Sequence, residues 1–337
     1  MDFNLDETQQ DLKKLAAEVL AKEGDKDAAE ERLWQAGLMG VCVPEEAGGA
    51  GLGPVELAVV LREVGARAAT VPALPTLAAT LLLARHGTPD QQRRHADKDT
   101  GRLTLALREP GRALTGPPAT TATPDARHAG DPGWSLTGRK VSVPYPGGAA
   151  LVTADTGLFL VADPVTAAEF TSTGEPAATI VLDGTPAERV AGPEAVADAR
   201  RIFTAAVAAQ ASGVLAGALE LTTAYIKQRR QFGRALAEFQ AVTMQIADVY
   251  IAARALDVAM WSALWRLGEG LPAEEDLALA AYHVSGAYQA LYTCQHLHGG
   301  LGLDVTYPLH RYFAQARHLS QLLGGADAQL DLIGALV

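Results

Sequence analysis

The sequence predicts an α+β chain, mainly α: an N-terminal helical domain over 1–101, a small middle β-domain over 102–190 and a C-terminal four-helix bundle over 191–337. Three observations predict it: helical periodicity through the first third, short Thr-, Val-, Gly- and Pro-rich runs in the middle, and Ala-rich helical composition almost to the end. At 337 residues the chain exceeds one ordinary compact core, so two or three domains sharing buried faces are expected.

From Asp6 to about Asp97, Leu12, Leu15, Val19 and Leu20 recur at helical spacing, and Val55, Val59, Val60 and Val64 do so again. Between them VPEEAGGAGLGPVE breaks the period at Gly48, Gly49, Gly51 and Gly53, and Pro54 can open the next helix at its first turn. The apolar stretch from Leu74 to Leu83 is too short to span a bilayer and is bounded by Pro72, Pro75 and Arg85, so it reads as a core helix.

In the middle, RLTLALRE, WSLTGRKVSV, AALVTAD, GLFLVAD and ATIVLDG read as short strands of an antiparallel domain, with a long irregular loop from Pro110 to Asp125. After Ala195, helical runs are expected over 196–229, 236–268, 275–297, 306–322 and 326–336. Pro272 and the glycines Gly299, Gly300 and Gly302 mark loops of the bundle, and there is no internal repeat.

The hydrophobic fraction of 48% with 20% charged residues leaves no room for a long disordered tail. A net charge of -11 disfavours nucleic-acid and anionic-membrane partners, so any phosphate must be met locally. Cys42 and Cys294 lack CxxC spacing, which fits two buried thiols in a reducing cytoplasm and excludes a thiolate metal site. The opening MDFNLDETQQDLKKL is acidic and amphipathic where an export signal needs a basic stretch and an apolar run, so a cytoplasmic location is expected.

Two clusters could carry chemistry. Lys227, Gln228, Arg229, Arg230, Gln231, Phe232, Gly233 and Arg234 form a positive patch at a helix end in an acidic protein. Planar guanidinium donors grip phosphate oxygens in pairs, Phe232 can cover an apolar part of a ligand, and Gly233 lets the chain turn; cationic capping of a helix C-terminus is the plainer alternative. In QHLHGGLGLDVTYP, Gln295 to Pro308, a helix runs into glycines that allow close backbone approach, and the Gln295 amide both donates and accepts; an ordinary C-cap reads equally well. His296 and His298, two apart on a helix, point to different faces, so no metal site is expected.

The chain resembles the acyl-CoA dehydrogenases over nearly its full length. VPEEAGGAGLGPVELAVVLREVG, RRQFGRALAEFQAVTMQIADVYIAAR and QHLHGGLGLDVTYPLHRYF carry the likeness, in order and at familiar spacing. In that family FAD lies across a subunit interface, one chain holding the isoalloxazine and its neighbour's bundle the pyrophosphate and adenosine. The resemblance gives this chain the second role: Arg229 and Phe232, with Gly233 letting the chain turn, on the pyrophosphate and adenosine side, Gln240 near the adenosine, and Gln295, Gly299 and Gly300 along the nucleotide. The family's flavin-facing TEPxAGSD and WIT-like segments are replaced here by REPGRALTG, Arg108 to Gly116, and RKVSVPY, Arg139 to Tyr145, so the ring side is expected to be degenerate.

The family's base, a Glu that takes the substrate's α-proton while hydride leaves the β-carbon, stands at one of two positions. By ungapped count these fall on Leu323 and Phe203, neither of which accepts a proton, so no catalytic residue is expected. Asp327 reads as an exposed helix start, Asp198 and Glu220 as solvated helix positions, and Glu45 and Glu46 as loop charges. A chain that keeps the nucleotide-holding half and lacks the base implies a second acyl-CoA dehydrogenase subunit that carries the Glu, beside an acyl-CoA substrate and an electron-transfer acceptor. The wording QLLGG and HLHGGLGLDVTYPLHRY is most similar to the smaller, base-lacking subunit of actinobacterial α2β2 steroid side-chain enzymes. A self-sufficient homo-oligomer using Asp327 or another unrecognised carboxylate, and a non-catalytic scaffold for a partner dehydrogenase, are the alternatives.

Overall fold

The computed structural model describes residues 3–22, 26–96, 102–125 and 133–336. In order they form α1 (Glu7–Ala21), α2 (Lys26–Gln35), α3 (Pro54–Ala66), α4 (Ala73–His86) and α5 (Pro89–Arg94), then β1 (Leu103–Ala106), β2 (Thr121–Asp125), β3 (Gly133–Pro144), β4 (Ala149–Ala154), β5 (Gly157–Val161), β6 (Val165–Phe170) and β7 (Pro176–Ala191). The C-terminal part is α6 (Glu194–Gln228), the short pair β8 (Arg230–Gln231) and β9 (Arg234–Ala235), α7 (Gln240–Gly268), α8 (Glu274–His298), α9 (Leu309–Leu322) and α10 (Gly325–Leu336). Helical, β, helical is the order the composition predicts. The expected end of the first helical part, at 97–101, lies outside the described residues.

The chain divides into two compact units, one of Met1–Glu23, Ala58–Thr70 and Thr204–Val337, the other of Gly24–Leu57 and Val71–Phe203. In the second unit α4 buries every residue from Ala73 to Leu83, as expected of a core helix. Its sheet runs β1-β4-β5-β7-β3-β2, with β6 added on β7. Leu136, Val143, Val152, Phe159, Val161, Ile180 and Leu182 fill the core of that sheet.

Three features of the sheet differ from the expectation. Thr121–Asp125, read as part of a loop, is an edge strand antiparallel to β3; Pro124 is tolerated because an edge strand has one side free of ladder bonds. The pairing of β1 with β4 is parallel, so the domain is mixed and not purely antiparallel. Strand β6 gave no signal because all six of its residues are exposed and none alternates with a buried neighbour.

In the first unit, α8 packs against α7, α9 and α10. Helices α3 and α6 pack backbone to backbone. A Cβ on Gly213 would lie 1.9 Å from the Arg62 carbonyl oxygen, one on Gly65 2.1 Å from that of Gln210, and one on Gly217 2.2 Å from that of Ala66. These glycines let two helix backbones touch. Beside them Arg62 Nε donates to Ser212 Oγ at 3.0 Å, and its Nη2 meets Asp257 at 3.1 Å, while Ser212 Oγ donates to Asp257 Oδ1 at 2.5 Å, which ties α3, α6 and α7 together. Buried polar groups satisfied this way hold one register. Helix α6 is long and apolar enough to cross a membrane by composition, yet 83% of its most apolar window is buried, as in a core helix.

Gly213→Ala is expected to lower the unfolding free energy by about 2–3 kcal/mol through overpacking. Gly286→Ala, in the interior of α8 where an added Cβ meets nothing within 4 Å, is expected to raise it by about 0.5–1 kcal/mol. Urea titration of both variants checks the contrast; equal effects would contradict the close approach.

Candidate functional site

Helix α6 ends by handing the chain to a cationic hairpin. The Arg229 amide donates to the Tyr225 carbonyl at 2.8 Å, and the Leu236 amide donates to the Arg229 carbonyl at 2.8 Å, so β8 and β9 fold back tightly between them. Phe232 and Gly233 turn the hairpin with left-handed φ values of 51° and 84°. Phe232 is 91% exposed. A phenylalanine in left-handed backbone with its ring in water carries both a conformational and a solvation cost. Lys227, Arg229, Arg230 and Arg234 are all exposed around it, and the Arg234 guanidinium stacks over Phe239 at 4.9 Å. Lys227 lies in the last turn of α6, and Arg229 and Arg230 follow directly on its end.

Gln240 opens α7 and is exposed; the preceding Phe239 offers no side-chain acceptor to the first turn. The N–H groups and positive end of a 29-residue helix therefore add to the guanidinium charge. At the end of α8, Gly299 has φ 61°, and a Cβ at Gly299 or Gly300 would meet nothing within 4 Å, so this backbone is open to approach. Gln295 is half-buried, and its amide nitrogen donates to the Gly302 carbonyl at 3.3 Å, closing the turn that follows the helix.

The two clusters meet through a contact that the sequence did not signal. The Tyr225 and His298 rings stack at 4.3 Å, 21° from parallel, and the Tyr225 hydroxyl donates to the His298 carbonyl at 3.5 Å. Tyr225 lies one helical turn before Arg229 and His298 immediately before Gly299. Thus Arg229, Phe232, Gly233, Gln240, Gln295, Gly299 and Gly300 all lie in one unit, with the α6 hairpin and the α8 turn joined at their bases. Open positive charge, an uncovered aromatic ring, a free helix start and accessible glycine backbone fit the phosphates and base of a dinucleotide.

In the other unit, the segments Arg108–Gly116 and Arg139–Tyr145 are pinned to each other. The Val141 amide donates to the Arg108 carbonyl at 3.0 Å, and Lys140, 0% exposed, meets Glu109 at 2.7 Å and Thr153 at 3.1 Å. Glu109 also accepts from the Ala119 amide at 2.6 Å and the Thr120 hydroxyl at 2.6 Å. Burial pushes the Glu109 carboxyl up, but the ammonium, hydroxyl and amide donors hold it down at about 2. Burial lowers Lys140 to about 8 against the pull of Glu109, so both groups are ionised at neutral pH. Arg200 donates to the Thr115 and Gly116 carbonyls, fixing the far end of the first segment.

Leu323 and Phe203, on which the ungapped count falls, are buried and apolar. Asp327 is exposed in the first turn of α10, and Glu220, Glu45 and Glu46 are exposed as expected. Asp198 departs from the expectation: it is buried, paired with Arg85 at 3.1 Å and with His86 at 2.9 Å, so it is a structural ion-pair partner and not a solvated helix position.

Two family models match the chain: the acyl-CoA dehydrogenase N-terminal domain over residues 6–98 and the C-terminal domain over residues 200–337. The acyl-CoA dehydrogenase FadE28 of Mycobacterium tuberculosis is 39% identical over 350 residues, covering 99% of this chain and 98% of that protein. The chain belongs to the acyl-CoA dehydrogenase family. Among solved structures, a variant of the Tcur3481-Tcur3483 steroid ACAD is 37% identical with a TM-score of 0.89, covering 98% of this chain and 97% of that one. The ChsE4-ChsE5 complex from Mycobacterium tuberculosis is 32% identical with a TM-score of 0.88, covering 99% and 98%. FAD is the cofactor of the acyl-CoA dehydrogenases.

The Glu109–Lys140 pair makes a pH prediction. Glu109 titrates near 4.5 when unfolded and near 2 when folded, so its stabilisation is full above pH 4.5 and is lost as pH falls toward 2. Glu109→Gln is expected to flatten the acid limb of stability in that window, measured by denaturant unfolding at stepped pH. Lys140→Met, which leaves a buried carboxylate without its cation, is expected to cost about 3–5 kcal/mol at pH 7. Parallel pH curves for wild type and Glu109→Gln would contradict the pair.

Proposed function

We propose that this chain is the FAD-binding, base-lacking subunit of a heteromeric acyl-CoA dehydrogenase of α2β2 form. The supporting observation is a division of assets: an open cationic and aromatic site at the α6 hairpin and α8 turn, and buried Leu323 and Phe203 where a base would stand. Arg229 and Phe232 meet the pyrophosphate and adenosine, Gly233 shapes the hairpin, Gln240 lies near the adenosine, and Gln295, Gly299 and Gly300 line the nucleotide. Bound FAD supplies a hydride acceptor for the substrate's β-carbon.

The partner subunit supplies the Glu that takes the α-proton and most of the acyl pocket, and the product is a trans-2-enoyl-CoA. Similarity to a steroid ACAD supports a steroid side-chain acyl-CoA as substrate, and a place in cholesterol or sterol breakdown by β-oxidation. Electrons then pass to a separate acceptor protein. The location is cytoplasmic, in keeping with two buried free thiols.

Arg229→Ala is expected to weaken FAD binding by the assembled complex by about 1.5–3 kcal/mol, roughly 10- to 150-fold in Kd, as for loss of a charge-assisted hydrogen bond. Flavin titration of deflavinated complex measures it. The chain purified alone is expected to show no acyl-CoA oxidation, and adding the partner restores it; full turnover by the lone chain would overturn the heteromer.

A further inference from the structure

His298 is a buried histidine for which no ligand role remains, since both of its ring nitrogens are spent within the chain. Nδ1 lies 2.8 Å from the Cys294 carbonyl, which can only accept, so Nδ1 carries the proton. Nε2 lies 3.1 Å from the Tyr307 hydroxyl, which donates to it. Burial lowers the basicity of the ring, with the Cys294 carbonyl acting the other way, so this neutral tautomer is the stable one. The face of the same ring stacks on Tyr225.

One imidazole therefore touches three pieces of chain. Tyr225 lies a helical turn before Arg229, and the Arg229 amide is bonded to the Tyr225 carbonyl. The backbone of His298 leads directly into the open Gly299–Gly300 segment. Tyr307 stands at the far end of the turn, where its amide donates to the Asp304 carbonyl at 3.1 Å. The hairpin cations and the α8 glycines belong to elements about seventy residues apart, and Tyr225, His298 and Tyr307 join the two.

We infer that His298 is a positioning residue for the dinucleotide site: as a neutral ring stacked on Tyr225 and bonded to Tyr307, it sets the spacing between the Arg229 hairpin and the Gly299–Gly300 backbone. This rests on the nucleotide reading of that site. A rigid ligand spanning two elements is sensitive to their separation, because a displacement of about 1 Å can cost as much as 10²-fold where geometry must be met at both ends.

The test is FAD titration of the deflavinated complex, with thermal unfolding of the same samples. His298→Phe keeps the stack and the bulk but removes both ring hydrogen bonds; it is expected to raise the FAD Kd about tenfold, a change of 1.4 kcal/mol, with little change in unfolding midpoint. Tyr307→Phe removes only the second bond and is expected to raise Kd severalfold. Arg229→Ala separates the two levels of the claim. Should Arg229→Ala leave Kd unchanged, the nucleotide reading fails and this inference with it. Should Arg229→Ala weaken binding while His298→Phe and Tyr307→Phe do not, the positioning role alone is overturned. A His298→Phe variant that loses affinity only in step with its unfolding midpoint, with Tyr307→Phe unaffected, also overturns it.

Discussion

The first unit depends on backbone contact between α3 and α6. Three glycines remove the side chains that would hold these helices apart, and the Arg62–Ser212–Asp257 network fills the space beside them with satisfied polar groups. Dispersion between closely packed backbones is large in sum, and the network penalises sliding because any shift leaves a buried charge unpaired. A fixed α6 means a fixed Tyr225, and from Tyr225 the position of Arg229 follows within one turn. Tyr312 and Gln315 of α9 reinforce the arrangement by donating to the Ala66 and Ala69 carbonyls at the end of α3.

Charge is used in two opposite ways in this acidic chain. At the α6 hairpin, cations are gathered in the open, where their mutual repulsion is screened and remains available to an anion. In the sheet-bearing unit, Lys140 and Glu109 are withdrawn from water and neutralise each other, so the segments they join present no free charge of their own from that pair. The first arrangement suits recognition and the second suits rigidity. The same division separates the exposed Phe232 from the fully buried Phe159, one left for contact and one for packing against Trp134.

Much of this was legible from residue order. The long helices, the α4 core segment and most strands follow from periodicity, and the cationic patch and the glycine pair from local composition alone. Strand β2 was hidden because Pro124 and its Thr-rich surroundings look like a loop unless the strand is known to lie at an edge. Strand β6 was hidden because a fully exposed strand has no apolar alternation. Asp198 looked solvated because its partners, Arg85 and His86, are more than a hundred residues away in sequence. The Tyr225–His298 stack and the Lys140–Glu109 pair escaped for the same reason: periodicity reports on neighbours along a helix or strand, and neither contact is of that kind.

The chain enters the first unit, leaves it, returns for a single short stretch at Ala58–Thr70, leaves again, and completes it only from Thr204 onward. Arg62 must therefore wait for Ser212 and Asp257 before their pairing forms. Contacts so distant in sequence carry a large loop-closure cost and slow the search for the native arrangement. During synthesis, helix α3 leaves the ribosome about 150 residues ahead of the α6 residues it packs on, so the face around Arg62 and Gly65 stays uncovered until they follow.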